Sequence, residues 1–124
     1  MKFQYVILYV DDVVQATAFY EKAFGMTTRF IHESQAYAEM ESGATTLAFA
    51  AQEMLELNTG IPAQTGVKNC FEIAFTTEDV EADYARAVAA GAKEIREPQQ
   101  KPWGQTVAYV QDAFGTLVEI CSPM

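Results

Sequence analysis

A chain of 124 residues, half of them apolar and 12% aromatic, holds enough material for one packed domain and has the wrong composition for a disordered one. Its formal net charge of −9 excludes nucleic acid as a partner, because phosphate binding needs clustered Lys or Arg, and favours neutral or cationic ligands through the long-range field. No apolar run approaches the ~20 residues of a membrane-spanning helix, and two cysteines without paired spacing, Cys70 and Cys121, fit a reducing, cytoplasmic setting.

Residues 3–10 are nearly all apolar, as expected for a strand buried on both faces. The opening MKFQYVILYVDD carries one Lys and no small-residue cleavage pattern, so it reads as strand and not as signal peptide. Asp12 is placed to cap a helix in which Val13, Ala16, Tyr20, Ala23 and Phe24 recur at helical spacing, with Gly25 as its stop. Residues 27–33, 36–42 and 45–50 read as three strands, separated by turn signals at Glu33-Ser34 and Ser42-Gly43. Residues 52–68 form a bridge rich in loop formers (Asn58-Thr59-Gly60, Pro62, Gly66), with no more than a short turn over residues 53–57.

The same order then returns. Residues 70–77 are a strand, and a helix starts at Asp79 or Thr77 with Val80, Tyr84 and Val88 inward, ending at Gly91. Residues 93–97 are a strand and residues 98–104 a loop carrying Trp103. Residues 105–111 and 116–122 make a hairpin around Asp112-Ala113-Phe114-Gly115. The two β–α runs, YVILYVDDVVQATAFYEKAFG at 5–25 and EIAFTTEDVEADYARAVAAG at 72–91, are copies of one pattern, each with Asp before Val at the helix start. The predicted fold is therefore α+β, with two tandem βαβββ modules forming a curved mixed sheet around a cleft and helices outside. Module one covers residues 2–51, a linker 52–68, and module two 69–124. Duplication places equivalent positions about a pseudo-twofold axis, and the space between modules is a natural ligand site.

Strand parity selects the side chains that face such a cleft. Phe71, Ile73 and Phe75 belong under the helix, leaving Glu72 on the other face; Val118 and Ile120 do the same, leaving Leu117, Glu119 and Cys121. In module one Leu47 and Phe49 pack inward, leaving Thr46, Ala48 and Ala50. Tyr5, Ile7 and Tyr9 share the face of Glu72, since aligning Val13 with Val80 sets Tyr5 against Glu72.

This module order, with Val10-Asp11-Asp12, Ala18-Phe19-Tyr20 and Phe24-Gly25-Met26 in the first copy and Lys101-Pro102-Trp103-Gly104 leading to Asp112, Gly115 and Val118-Glu119-Ile120 in the second, resembles the vicinal oxygen chelate family over essentially the whole chain. That family includes glyoxalase I (lactoylglutathione lyase), extradiol dioxygenases, and fosfomycin and bleomycin resistance proteins. The resemblance implies the fold; the activity varies within the family. It also implies that Tyr5, Ala48, Glu72 and Glu119 occupy the four positions where metal-dependent members carry His, Glu or similar ligands. Glu119 matches that pattern, Glu72 and Tyr5 stand where His is common, and Ala48 cannot ligate.

The single histidine, His32, lies on the second strand of module one, outside this quartet and at a surface position. Neither a two-His-one-carboxylate iron site nor a His-type zinc site can form within one chain. No cofactor is expected; the alternative is a divalent metal (Mn²⁺, Mg²⁺, Ni²⁺ or Zn²⁺) held by Glu72, Glu119 and Tyr5. Glu72 and Glu119 are the candidate catalytic pair, acting as general acid and base if their environments separate their pKa values, or else as polar positions that orient a ligand. An anionic neighbourhood argues against Cys70 or Cys121 as nucleophile, and there is no Ser-His-Asp set, phosphate loop or dinucleotide fingerprint.

Trp103, on a Pro-Trp-Gly loop, offers a flat face to an aromatic or cationic ligand, or anchors its loop on the core. Tyr5, Tyr9, Tyr37, Tyr109 and Phe114 extend the aromatic surface. The expected function is binding of a small apolar or aromatic ligand, neutral or cationic, by Tyr5, Tyr9, Ala48, Glu72, Trp103 and Glu119. A metal-dependent lyase or isomerase resembling glyoxalase I, using Glu72 and Glu119, is the alternative, and a subunit that serves mainly to associate with other proteins is the third. A homodimer is implied by the resemblance, with no nucleic acid or membrane partner.

Overall fold

The computed structural model describes residues 3–62 and 71–124. It divides into two compact units, Met1–Thr65 and Gly66–Met124. In the first, β1 (Tyr5–Val10) leads into α1 (Val13–Phe24), followed by β2 (Thr27–Ile31), β3 (Tyr37–Glu41), β4 (Thr46–Ala51) and α2 (Gln52–Thr59). In the second, β5 (Glu72–Thr76) leads into α3 (Val80–Ala89), then β6 (Lys93–Gln100), β7 (Thr106–Gln111) and β8 (Leu117–Cys121). Each unit forms a four-stranded mixed sheet, in order β1-β4-β3-β2 and β5-β8-β7-β6. The duplication read from the sequence is thus a duplication of topology: first and last strands are parallel neighbours in both units. Among the described residues, no helix is long and apolar enough to cross a membrane.

Both long helices begin for the same local reason. Asp12 accepts the backbone N–H of Gln15 at 2.9 Å and Asp79 that of Ala82 at 3.0 Å, each satisfying a donor that the first helical turn leaves unpaired. Gly25 ends α1 in the left-handed region at φ 65°, where a Cβ is disfavoured.

Helix and sheet faces then meet as parity requires. Val13, Ala16, Thr17, Tyr20 and Ala23 turn α1's buried side onto the sheet. The Tyr20 ring sits 4.7 Å from that of Phe49 on β4 and 5.0 Å from that of Phe24. In the second unit Val80, Tyr84 and Ala87 of α3 are buried, as are Val118 and Ile120 of β8 and Ala108 and Val110 of β7, which oppose them across the strands. The β7–β8 turn is locked by buried Asp112, whose Oδ1 accepts the N–H of Phe114 at 2.9 Å and of Thr116 at 2.7 Å. Asp112→Ala strands those donors, and urea denaturation is expected to show a loss of roughly 2 kcal/mol.

Two elements depart from the sequence reading. The bridge contains a real helix, α2, where only a short turn over residues 53–57 was expected; its N-cap is Ala51, with no side-chain cap bond, and none of its residues is buried. Asn58 and Thr59, read as turn formers, are its last residues, and Gly60 at φ 73° is its stop. Strand β6 runs through Pro98 to Gln100, three residues past the expected end, because it is an edge strand whose register shifts after Arg96, where a missing N–H is tolerated. The stretch 63–70, with Gly66 and Cys70, lies outside the described residues.

Candidate functional site

On the second sheet, cross-strand register sets Glu72 beside Leu117, Ala74 beside Glu119 and Thr76 beside Cys121, with Tyr109 flanking Glu119 from β7. The alternate residues Ile73, Phe75, Val118 and Ile120 take the helix side, so Glu72 and Glu119 share the open face as parity predicts. Tyr109 Oη donates to Glu119 Oε2 at 3.1 Å.

These neighbours shift one another's titration. The Glu72 carboxyl is raised above its ordinary value of 4.5, first by partial desolvation, then by the proton it shares with Glu119 and by the Glu119 charge. Burial raises the Tyr109 phenol, and the Glu119 carboxylate adds to the shift. Cys121 is pushed up to about 11, chiefly by burial and then by Glu119, with its Sγ 3.7 Å from the Phe75 carbonyl oxygen. A thiol held neutral in this way is a poor nucleophile at neutral pH.

On the first sheet the equivalent row is Ile7–Ala48–Glu39, and Tyr5 stands where Glu72 stands in the second. Tyr5, Ile7 and Tyr9 are exposed in succession along one face of β1, so this strand is buried on one face only, through Leu8 and Val10, and not on both as its apolar run suggests; Ala48 is fully buried. The carboxylate absent at Ala48 is present one strand over, at Glu39, which sequence reasoning missed. Only 9% exposed, Glu39 accepts Tyr37 Oη at 2.9 Å and Arg29 Nη1 at 3.1 Å. Arg29 also grips Glu41 with Nε at 3.1 Å and Nη2 at 3.2 Å. Burial and the Glu39 carboxylate push the Tyr37 phenol up to about 12, so it remains a donor. The available signal was Tyr37 and Glu39 two apart on one strand, and therefore on one face.

Trp103 is 63% exposed, yet its loop is a built turn. Its Nε1 donates to Gln105 Oε1 at 2.9 Å, and Gln105 Nε2 donates to the Ser122 carbonyl at 2.8 Å, tying the indole to the end of β8. Lys101 N–H donates to the Gln105 carbonyl at 2.7 Å and closes the turn. His32 is exposed just beyond β2, with Nδ1 2.7 Å from Ser34 Oγ, and joins neither row.

The donor set does not fit the metal of the family's metal-dependent members. Ala48 has no donor, Tyr5 offers a phenol, and one Glu119 oxygen is already engaged by Tyr109. Among the described residues no three His, Cys, Asp or Glu side chains come together in a group that could hold a metal ion.

The chain is 25% identical to the uncharacterized Bacillus subtilis protein YraH, with 97% of each covered. It is 28% identical to Mycobacterium bovis "Putative glyoxylase CFP32" over 94% of this chain, and spans only 42% of that protein's length. A glyoxalase/bleomycin resistance protein/dioxygenase family enzyme from Burkholderia phytofirmans PsJN superposes with a TM-score of 0.83 at 25% identity, both chains fully covered. The family model of the Glyoxalase/Bleomycin resistance protein/Dioxygenase superfamily matches residues 2–120, nearly the whole chain, and to that superfamily the chain belongs.

Proposed function

We propose that the chain binds a small apolar or aromatic ligand bearing a positive charge, with the charge taken by the Glu72–Glu119–Tyr109 row of the second unit. One observation carries this reading. Glu72 on β5 and Glu119 on β8 stand diagonally across neighbouring parallel strands on one open sheet face, and the Glu119 carboxyl helps to raise that of Glu72. A cation at that point relieves the repulsion and satisfies both groups. The net charge of −9 steers cations toward the chain. Trp103, tied to Ser122 three residues beyond Glu119 and so about 10 Å along the strand, supplies an aromatic face. Tyr5 and Tyr9 give the first unit a surface suited to the same ligand class.

Benzyltrimethylammonium is a direct probe, since Trp103 is the only tryptophan. A saturable change in its fluorescence, matched by a saturable calorimetric heat that survives Trp103→Phe, is the expected result. Absence of saturation by both methods retires the reading. Titration of Mn²⁺, Ni²⁺, Zn²⁺ and Mg²⁺ into chelator-treated protein goes alongside; a stoichiometric ion bound tighter than roughly 10 μM would replace it with a metal-based one. A second reading, proton transfer without a metal, is favoured by the proton shared between Glu72 and Glu119 and by the name of CFP32. Solvent deuterium entering an added α-hydroxyketone would select it. Homodimerisation is tested by light scattering.

A further inference from the structure

The open face of the second sheet carries charge of both signs, and the strands sort it. Residues paired across neighbouring strands share a face, so register extends the Glu119–Tyr109 pair one strand further, to Arg96 on the edge strand β6. The next row ends at Lys93, which pairs with Gln111 and through it with the Leu117 that stands beside Glu72. Both bases of β6 therefore stand on the face of the carboxyl pair. The acids of β6 take the other side. Glu97 lines a groove on the α3 side with Glu81 and Tyr84, and the Tyr84 phenol is raised by burial and then by the charges of Glu94 and Glu97.

Arg96 is exposed, and among the described residues it takes part in no ion pair or side-chain hydrogen bond. The first unit treats its edge-strand arginine differently: Arg29 of β2 closes on Glu39 and Glu41 of β3. Arg96 meets no acid on β7. Its partner there is Tyr109, whose hydroxyl is already turned to Glu119. One row across three strands thus reads carboxyl, phenol ring, guanidinium. Its two charged ends lie two strand spacings apart at the backbone, about 10 Å.

We propose that the ligand held by Glu72 and Glu119 is zwitterionic, and that Arg96 determines this specificity by binding its anionic end. The inference rests on the cation site proposed above and adds the chemistry of the ligand's far end. A molecule that reads cation, ring, carboxylate complements the row term by term. The planar guanidinium offers a carboxylate two parallel N–H donors. An exposed ion pair of this kind is weak between free partners. Here the cation site already tethers the carboxylate within reach, which raises its effective concentration. The net charge of −9 repels free anions, whereas a zwitterion has no net charge to be repelled.

The test is calorimetric titration of two compounds into the full chain at neutral pH. One is 4-(trimethylammoniomethyl)benzoate, in which a ring separates a quaternary ammonium from a carboxylate. The other is 4-methylbenzyltrimethylammonium, with a methyl group in place of the carboxylate. The first should bind about five-fold tighter than the second. Arg96→Gln should abolish that preference and leave the affinity for the methyl compound unchanged or higher, which separates loss of the guanidinium from damage to the sheet. Arg96→Lys should keep most of the preference, and Lys93→Gln all of it. Equal affinities in the parent chain, or a preference that survives Arg96→Gln, overturns the zwitterion and leaves the cation site standing. No saturable heat with either compound overturns both.

Discussion

Phe49→Ala is expected to remove about 3–5 kcal/mol of stability, the largest single loss of any substitution considered for this chain. Phe49 has no exposed surface and sits on β4, between β1 and β3 in the first sheet. Its ring meets Tyr20 edge-on at 4.7 Å, and Tyr20 in turn meets Phe24 at 5.0 Å and Phe19 at 6.1 Å. Truncation therefore removes buried area and opens a cavity beneath α1 that neighbouring aromatic rings cannot collapse to fill. Against a total stability of roughly 5–15 kcal/mol, that loss is a large fraction. The control is Phe30→Ala, at an exposed position, which should cost less than about 1 kcal/mol. Urea denaturation followed by circular dichroism reads both. Equal losses in the two variants would show that the α1–β4 contact is not the core of the first unit. A biphasic transition in Phe49→Ala alone would show that the second unit, which contains none of these rings, unfolds separately.

Much of this architecture is legible in the chain because it is set by local rules that repeat. Asp12 and Asp79 announce helix starts through cap chemistry, and Gly25 and Gly91 announce their ends. Two-residue periodicity puts Ile73 and Phe75 on one face and Glu72 on the other, and the pairing of Ala74 with Glu119 agrees. What stayed hidden depended on non-local partners. Helix α2 has neither a capping side chain nor a buried stripe, the two signals by which a helix is read. Strand β6 survives Pro98 only because it is an edge strand with a register shift, and edge status is a property of the sheet. Glu39 looks like any exposed acidic residue until Arg29 and Tyr37 close on it from the same sheet. Tyr84 reads as ordinary core, yet its buried hydroxyl has no hydrogen-bond partner among the described residues.

The carboxylate pair makes the second large prediction, and its sign is fixed by the direction of the Glu72 shift. A carboxyl whose value is raised on folding contributes its stability below its unfolded value and loses it as pH rises through the folded one. Glu72→Gln should therefore be more stable than the parent chain at neutral pH, and that advantage should vanish as pH falls below about 4.5, the unfolded value. Ligand binding runs the other way. A cation binds the ionised pair, so its affinity should climb as pH rises through the elevated Glu72 value and then level off. Glu119→Gln removes one charge and the proton partner of Glu72, which should weaken a benzyltrimethylammonium complex about ten-fold or more at neutral pH. It should also move the remaining pH dependence downward, since Glu72 then keeps only its desolvation. In Glu72→Gln the rise should flatten. Thermal melts and calorimetric titrations from pH 4 to 8 read both effects on the same proteins. A pH-independent affinity in the parent chain would show that the cation is held elsewhere, and a Glu72→Gln protein less stable than its parent at neutral pH would show that the Glu72 charge is stabilised rather than strained.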